Sequence, residues 1–305
     1  MLLPAIRRVE RVPRHVIWEI TTACNLRCIH CEGSAGRRDG AELTTDEGLA
    51  LIDELVAAGC RQCNVSGGEP LVRRDWDVFS ARLAAGGVLV TLVTNGALLE
   101  DAAVERAVAA RVHAVAVSVD GLRATHDRIR PAADRKGSSF DATLAALRRL
   151  RAAGVRTAAI THVNRWNLDE LDGIHAALGD EGVDSWQLQL GVPLGRQREI
   201  AEPYMIAPEQ LPLLVRRLVA LITTKRPPRL RITDGIGYYT ACEPILRARP
   251  SGEPSFWTGC YAGILAVGIE SNGNVKGCSS LPKEFAVGTV REESFRTIWA
   301  DAERF

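Results

Sequence analysis

The 305-residue sequence lacks any apolar run as long as the roughly 18 residues that a membrane-spanning helix requires. It also lacks an excess of either charge, because 38 Lys and Arg stand against 37 Asp and Glu and give a formal net charge of +1. The arginine-containing N-terminal stretch has no apolar core of a signal peptide. These absences argue against a membrane protein, an exported protein and a protein that binds nucleic acid through a basic surface. They predict a cytoplasmic protein.

Cysteine is moderately frequent, and its positions are informative. The eight cysteines form three groups, which are Cys24, Cys28 and Cys31, then Cys60 and Cys63, then Cys242, Cys260 and Cys278. In a reducing compartment, such groups favour metal or redox chemistry over disulfide bonds. Two thiols alone do not complete a metal cluster, so we interpret Cys60 and Cys63 as small apolar core residues.

The first two thirds of the sequence alternate short apolar runs with longer amphipathic stretches. The predicted strands lie at 15–20, 62–66, 88–94, 112–119, 155–163 and 183–190. One predicted helix begins near Thr44 and ends at Gly59, and another spans 139–154. This alternation predicts an α/β fold with a parallel sheet that curves into a partial (β/α)6 barrel of the TIM type.

The pattern changes after the sixth predicted strand. Residues 191–203 are predicted as a loop and 207–223 as a helix. Residues 265–278 alternate around an Asn-Gly-Asn sequence, which predicts a β-hairpin, and a last helix is expected at about 293–303. The predicted organisation is an N-terminal segment at 1–15, the partial barrel at 16–206 and a small C-terminal extension at 207–305.

The first cysteine group has the spacing C-x3-C-x2-C directly after the first predicted strand. Three thiolates on one loop suit a cubane iron–sulfur cluster, and three ligands for four irons leave one iron open. An open iron is what a bidentate amino-acid cofactor needs. The alternative is a zinc site with His30 or a distant residue as its fourth ligand.

The residues that follow this loop favour the cluster. Ser66-Gly67-Gly68-Glu69-Pro70 ends the second predicted strand, and with C-x3-C-x-Φ-C it resembles the GGEP motif and cluster loop of the radical S-adenosylmethionine (AdoMet) superfamily. The resemblance implies that Cys24, Cys28 and Cys31 hold a [4Fe-4S] cluster. It further implies that Gly67, Gly68, Glu69 and Pro70 cradle the methionyl amino group of AdoMet. Glycines let a backbone approach a ligand, and a carboxylate accepts from an ammonium group.

Further motifs stand at the ends of the third and fourth predicted strands, at Asn95 and at Ser118 to Asp120. The resemblance is to the branch of the superfamily that modifies peptides and natural products, in which the serine and an arginine twelve residues later help to hold the ribose and carboxylate. That arginine is Arg130 here. The carboxyl ends of parallel strands are where such sheets bind ligands. Turn formation is the alternative role for Asn95 and Asp120.

Three more positions complete the predicted cofactor site. By resemblance, Asn164 and Leu190, at the ends of the fifth and sixth strands, line the ribose and adenine. Turn formation for Asn164 and barrel core for Leu190 are the alternatives. His30 occupies the Φ position, which is usually Tyr or Phe, and we expect its ring to stack on adenine.

The third cysteine group resembles the opening of the SPASM or twitch extension of this superfamily, C-x9–15-G-x4-C, through Cys260, Gly273 and Cys278. In relatives this extension carries auxiliary iron–sulfur clusters. No cysteine follows Cys278, so we expect a truncated extension. Three interpretations are open: Cys242, Cys260 and Cys278 hold an auxiliary cluster, Cys242 or Cys260 donates a hydrogen atom to a substrate radical, or the three thiols are inert.

The resemblance implies reductive cleavage of AdoMet to a 5′-deoxyadenosyl radical, which takes a hydrogen atom from a substrate C–H bond. It implies an external electron donor such as flavodoxin or ferredoxin. Because only about 15 residues precede the first strand, we expect no leader-binding domain. We therefore favour epimerisation or oxidation of a sugar- or aminoglycoside-type intermediate of antibiotic biosynthesis. The alternatives are maturation of a ribosomally made peptide, by crosslinking or epimerisation, and a non-catalytic iron–sulfur redox protein.

Overall fold

The structure is a computed structural model that describes residues 11–132, 137–233, 235–238, 240–249 and 251–305. Within these residues the strands are β1 His15–Glu19, β2 Gln62–Ser66, β3 Leu89–Thr94, β4 Ala114–Ser118, β5 Arg156–Val163, β6 Ser185–Leu190, β7 Arg229–Ile232, β8 Ala266–Ile269, β9 Asn274–Lys276 and β10 Gly288–Thr289. The α-helices are α1 Thr45–Ala57, α2 Trp76–Ala85, α3 Asp101–Ala109, α4 Arg123–Ile129, α5 Ser139–Ala152, α6 Leu171–Asp180, α7 Gln197–Tyr204, α8 Leu211–Thr223, α9 Glu243–Leu246 and α10 Phe295–Ala300.

All ten strands belong to one sheet, with the order β10-β9-β8-β1-β2-β3-β4-β5-β6-β7. Strands β1 to β7 pair in parallel, and β8 also lies parallel to β1. Strand β9 pairs antiparallel with both β8 and β10. The predicted parallel barrel is confirmed, and each of its six predicted strands lies within two residues of an observed one. Residues 1–10 of the predicted N-terminal segment lie outside the described residues.

The first helix shows why these boundaries follow from the sequence. The Thr44 hydroxyl accepts from the backbone N–H of Glu47, and the Glu47 carboxylate accepts from the backbone N–H of Thr44 at 2.7 Å. This capping box starts α1. The chain leaves the helix at Gly59, whose φ of +92° favours glycine.

The side chains of strand β1 alternate between the outer helices and the interior of the barrel. Val16 and Trp18 are fully buried against the outer helices, where the rings of Trp18 and Phe79 lie 4.9 Å apart. The alternating residues His15, Ile17 and Glu19 therefore face the interior of the barrel. The outer layer forms the apolar core, and the inner face is left free to carry polar groups.

One prediction for the chain after β6 is wrong, and one strand there was not predicted. Residues 191–203, predicted as a loop, contain most of α7, because Gln197 and Tyr204 are fully buried and fix the helix although Pro203 lies inside it. The edge strand β7 was not predicted, since its four residues include two arginines. Through β7 and β8 the C-terminal region extends the barrel sheet on both sides. In the described residues, no helix is long and apolar enough to span a bilayer.

Candidate active site

A cavity of about 210 Å³ lies at the carboxyl ends of the parallel strands. Its wall combines the cysteine loop after β1 with residues at the ends of β2 to β6. The predicted residues on the wall are Cys24, Cys28, His30, Cys31, Gly67, Gly68, Asn95, Ser118 and Arg130. The structure therefore brings together three cysteines and six of the predicted cofactor residues that are separated by up to about a hundred positions in the sequence.

The three cysteines of the loop each have a donor directed at their sulfur atom. The backbone N–H of Leu26 points to Cys24 Sγ at 3.4 Å, and that of Ala35 points to Cys31 Sγ at 3.4 Å. Arg130 Nη1 lies 3.8 Å from Cys28 Sγ. Such donors stabilise thiolates. Burial nevertheless raises the pKa of Cys24 to about 11, so metal binding must displace protons from the loop.

The described residues do not assemble the single-ion zinc site that was the alternative. In the part of the chain that the structure describes, no three His, Cys, Asp or Glu side chains converge as ligands of one metal ion. His30, the predicted alternative fourth ligand, has Nε2 3.1 Å from Asp120 Oδ2. A tetrahedral zinc site holds its ligands at about 2.0–2.3 Å from one ion, whereas a cubane spreads its ligands over several irons.

The two glycines of the Gly-Gly-Glu-Pro sequence pack against the cysteine loop. A Cβ on Gly67 would lie 2.4 Å from the carbonyl oxygen of Thr21, and one on Gly68 would lie 2.2 Å from that of Ala23. Gly67 also has a φ of +150°. The glycines thus let the end of β2 lie directly against the loop, and their backbone forms part of the cavity wall.

Glu69 does not face the cavity. Its side chain is fully buried. Oε1 accepts from the Thr94 hydroxyl at 2.7 Å and from the Leu71 N–H, and Oε2 accepts from the Asn95 N–H at 2.8 Å. Burial raises the pKa of Glu69 to about 7, against the effect of these donors. In this structure the carboxylate ties the end of β2 to the end of β3, and the predicted contact with an ammonium group stays a prediction.

A buried ion pair stands between the cysteine loop and β4. Arg130 Nε lies 2.6 Å from Asp120 Oδ2, and Asp120 is completely buried. Burial opposes ionisation of Asp120, but the charge of Arg130 and the hydrogen bond with His30 hold its pKa well below the usual range. The other carboxylate oxygen accepts from the backbone N–H of His162. Asp120 therefore orients Arg130 from behind and is not itself part of the wall.

Aromatic side chains flank this ion pair. The ring of His30 lies 5.1 Å from the ring of His162 and 5.9 Å from that of Tyr204. Burial lowers the pKa of His162 to about 4, so the ring is neutral near pH 7. Neither ring nitrogen of His162 has a hydrogen-bond partner among the described residues, nor has His30 Nδ1. Unsatisfied buried polar atoms that border a cavity indicate a site for a polar ligand.

Asn95 and Ser118 reach the cavity, but five predicted residues lie behind its wall. Asn95 Nδ2 donates to Asn25 Oδ1, while its Oδ1 accepts from Ala97 N–H, so turn formation is present as well. The predicted residues off the wall, besides Glu69, are Pro70, Asp120, Asn164 and Leu190. Asn164 is fully buried and caps its own turn by accepting from the Trp166 N–H, which matches the alternative role considered for it. Leu190 packs against the core.

The wall residues that sequence reasoning missed include His162, Gln189 and Arg196. His162 and Gln189 belong to β5 and β6, and the alternation of strand residues was the available signal for them. Arg196 follows β6 in a segment without regular spacing. Nothing in the sequence near it indicates that it reaches the cysteine loop.

The third cysteine group is only partly assembled. Cys260 and Cys278 border a second cavity of about 580 Å³, together with Trp257 and the inward-facing Ile17 of β1. Cys242 caps α9 and borders neither of these two cavities. The two cavities have no wall residue in common within the described ranges, so the structure separates Cys260 from the site at the strand ends.

Comparison with known proteins agrees with this geometry. The model of the radical SAM superfamily matches residues 18–178, and that of the iron–sulfur cluster-binding SPASM domain matches residues 260–305. An AdoMet-dependent heme synthase of Methanosarcina barkeri is 33% identical over 97% of this chain and 85% of its own length. The mycofactocin maturase MftC of Mycolicibacterium smegmatis is 30% identical over 99% of this chain and 75% of its own length.

Solved structures share the fold. Streptococcus suis SuiB bound to S-adenosylmethionine superposes with a TM-score of 0.74 at 15% identity, over 95% of this chain and 66% of the SuiB chain. The enzyme anSMEcpe with bound AdoMet gives a TM-score of 0.72 over 94% of this chain and 80% of its own. The two matching family models imply [4Fe-4S] clusters, auxiliary clusters included, and AdoMet as cofactors. The chain belongs to the radical SAM superfamily, among the members that carry a C-terminal SPASM domain.

Proposed function

We propose that this radical SAM enzyme matures a ribosomally made peptide by abstracting a hydrogen atom from one of its C–H bonds. The observation that carries the radical chemistry is the shared cavity, in which three cysteines, the Gly67–Gly68 backbone and Arg130 face one another. When bound, the cluster supplies the electron that cleaves AdoMet into methionine and a 5′-deoxyadenosyl radical.

The chain's own residues position the cofactor. Arg130, held by Asp120, offers a cation to the carboxylate of AdoMet beside Cys28. Ser118 presents a hydroxyl on the same wall for a ribose hydroxyl. The neutral rings of His30 and His162, whose centroids lie 5.1 Å apart, offer aromatic faces and ring nitrogens suited to adenine. The substrate then enters over the strand ends.

The peptide is supported by the mycofactocin maturases, which match nearly the whole chain at 29–31% identity. The sugar-type substrate that the sequence suggested gains no support from the relatives described above. Because the peptide proposal concerns the substrate alone, it leaves the choice between crosslinking, epimerisation and oxidation to experiment.

A second candidate is an iron porphyrin on the way to heme. It is favoured by the 33% identity to the heme synthase, which exceeds the identity to the maturases. Both candidates use the same cofactor site, so they differ in the substrate that increases AdoMet cleavage.

The first experiment tests the shared chemistry. The protein is reconstituted anaerobically with iron and sulfide, given dithionite and AdoMet, and assayed for 5′-deoxyadenosine. We expect production by the wild type and by Cys63→Ala, and none by Cys28→Ala. A protein that takes up zinc in place of iron and sulfide, or that makes no 5′-deoxyadenosine, contradicts the proposal.

The second experiment compares substrates. A synthetic peptide encoded beside the gene and iron coproporphyrin III are each added, and the product masses are measured. A peptide product that lacks two hydrogen atoms indicates oxidation or crosslinking. Solvent deuterium in the product made in deuterium oxide indicates epimerisation through a thiol donor, and its loss in Cys260→Ala or Cys242→Ala identifies that thiol. A porphyrin product in place of a peptide product supports the second candidate.

A third experiment concerns the auxiliary cluster, for which we propose Cys260 and Cys278 as ligands with Cys242. Iron and sulfide are counted in the variant that lacks Cys24, Cys28 and Cys31. Residual iron that disappears on Cys278→Ala is expected, because Cys278 and Cys260 border one cavity. No residual iron in the first variant contradicts the assignment.

A further inference from the structure

The cysteine loop is attached on two sides. Cys24 N–H donates to the Gly36 carbonyl within the loop, and on the side of α4 Ile29 N–H donates to the Ile129 carbonyl. On the other side the loop meets residues 191–196, which connect β6 to α7 and which we call the β6–α7 loop. Strands β1 and β6 are separated by four strands in the sheet, and in the described residues its terminal strands β7 and β10 do not pair. The contact therefore joins two segments that strand pairing alone does not bring together.

Arg196 makes most of this contact. Its Nε donates to the carbonyl of Cys28 at 2.9 Å, and its Nη1 donates to the carbonyl of Ala35 at 2.8 Å. Its backbone N–H donates to the carbonyl of Cys31 at 3.1 Å. One residue thus holds two of the three cysteines and the residue that directs its N–H to Cys31 Sγ.

The neighbouring residues adapt to this position. Gly195 has a φ of +51°, and a Cβ there would lie 2.1 Å from the carbonyl oxygen of Glu32. Val192 N–H donates to Glu32 Oε1 at 3.1 Å. The β6–α7 loop therefore lies directly on residues 28–35, and only glycine permits so close an approach.

We propose that Arg196 is a positioning residue that fastens the cysteine loop to the segment after β6, so that Cys28 and Cys31 keep their place on the wall of the strand-end cavity. A guanidinium is suited to this role, because its rigid planar fork directs N–H groups on separate nitrogens at two carbonyls, whereas an ammonium donates from a single nitrogen. Arg196 also borders the cavity itself. The purpose of this positioning rests on the proposed radical chemistry. The contacts themselves do not, because they exist in the protein alone.

The test measures amide hydrogen exchange of residues 28–36 in the cluster-free protein. Arg196→Gln removes two hydrogen bonds, and we expect exchange there to rise by about tenfold or more. Arg196→Lys should restore part of the protection. The matched control is Arg198→Gln, because the exposed side chain of Arg198 donates to the Pro193 carbonyl of its own segment at 3.5 Å and, within the described residues, to no atom of the cysteine loop.

The same variants are then reconstituted, and the rate of iron loss to a chelator is measured. We expect faster loss in Arg196→Gln than in the wild type and in Arg198→Gln. Gly195→Ala, which displaces the β6–α7 loop from the opposite direction, should reproduce the effect. Unchanged exchange and iron loss in Arg196→Gln, or a rise spread evenly over the chain, overturns the proposal. If the wild type makes no 5′-deoxyadenosine while the local rise is seen, the proposed function fails and the role of Arg196 stands.

Discussion

Asp120 and Arg130 form a buried ion pair directly behind the cysteine loop, with Nε and Oδ2 2.6 Å apart. The pair joins the end of β4 to the end of α4 and presents the guanidinium toward Cys28 Sγ. Both partners are desolvated, so each depends on the other for its charge.

Replacing Asp120 with Asn should lower the free energy of unfolding by about 3–5 kcal/mol, because Arg130 would remain buried without its counter-ion. Urea denaturation of the cluster-free protein measures the change. Asp53→Asn is the control, since Asp53 pairs with Arg82 on the surface, with about half of each side chain exposed, and should change little. Equal effects of the two substitutions would show that the inner pair carries no special stability.

The free energy of unfolding should decrease as the pH is lowered from about 6.5 to about 4. Burial lowers the pKa of His126 to about 4, and His126 Nδ1 accepts from the backbone N–H of Asp120. The unfolded chain binds a proton on this residue in that range and the folded chain does not, so the free energy of unfolding falls with decreasing pH. Each such histidine contributes a slope of about 1.4 kcal/mol per pH unit.

Urea titrations at several pH values check this by comparing the wild type with His126→Gln. The difference between the two proteins is the quantity to measure, because the raised pKa of Glu69 acts in the opposite direction between about pH 4.5 and 7. The variant should show a flatter profile. The exposed His113 offers a control, and an identical profile for His126→Gln and wild type would contradict the prediction.

Gly68→Ala should abolish most iron incorporation. Its Cβ would lie 2.2 Å from the Ala23 carbonyl oxygen, so the end of β2 and the cysteine loop must move apart. The control is Gly33→Ala in the cysteine loop, because a Cβ on Gly33 meets nothing within 4 Å. This variant should incorporate iron normally. The iron and sulfide content of the two variants is measured after anaerobic reconstitution. Equal content in both would refute the packing role of Gly68.

Replacing Cys60 and Cys63 together with Ala should leave iron content and 5′-deoxyadenosine production unchanged. Cys63 is completely buried, and burial raises the pKa of Cys60 to about 12, which is typical of inert core thiols. A loss of about 1–2 kcal/mol of stability is expected from the cavity left behind. A drop in iron per chain would instead make these residues ligands.

The barrel was predictable from the sequence because its strands are buried on a regular pattern. Runs such as 88–94 and 112–119 contain few polar residues, and the turn signals around them are strong, so the boundaries follow within two residues. The strand-end motifs also follow, since the ends of parallel strands meet at one edge of the sheet. Asn95 and Ser118 reached the cavity for that reason.

What the sequence did not predict depends on contacts between distant segments. Asn164 and Leu190 stand at strand ends as expected, but neither lies on the cavity wall. The Asn164 amide donates to the His162 carbonyl and the Tyr204 hydroxyl, and Leu190 packs against the core. Arg196 reaches Cys28 over 168 positions of sequence. Such a pairing requires the three-dimensional position of the β6–α7 loop, which composition and spacing do not specify.

Strand β1 is hydrogen-bonded along both edges, to β2 on one side and to β8 on the other. A chain shortened before Ala266 would expose a row of unpaired backbone amides and carbonyls on that strand, beside the inward-facing His15 and Ile17. Bare strand edges of this kind recruit strands from other molecules. Shortened versions of the protein are therefore expected to aggregate during expression. In the full chain, the C-terminal hairpin prevents such self-association because β8 pairs with this edge of β1.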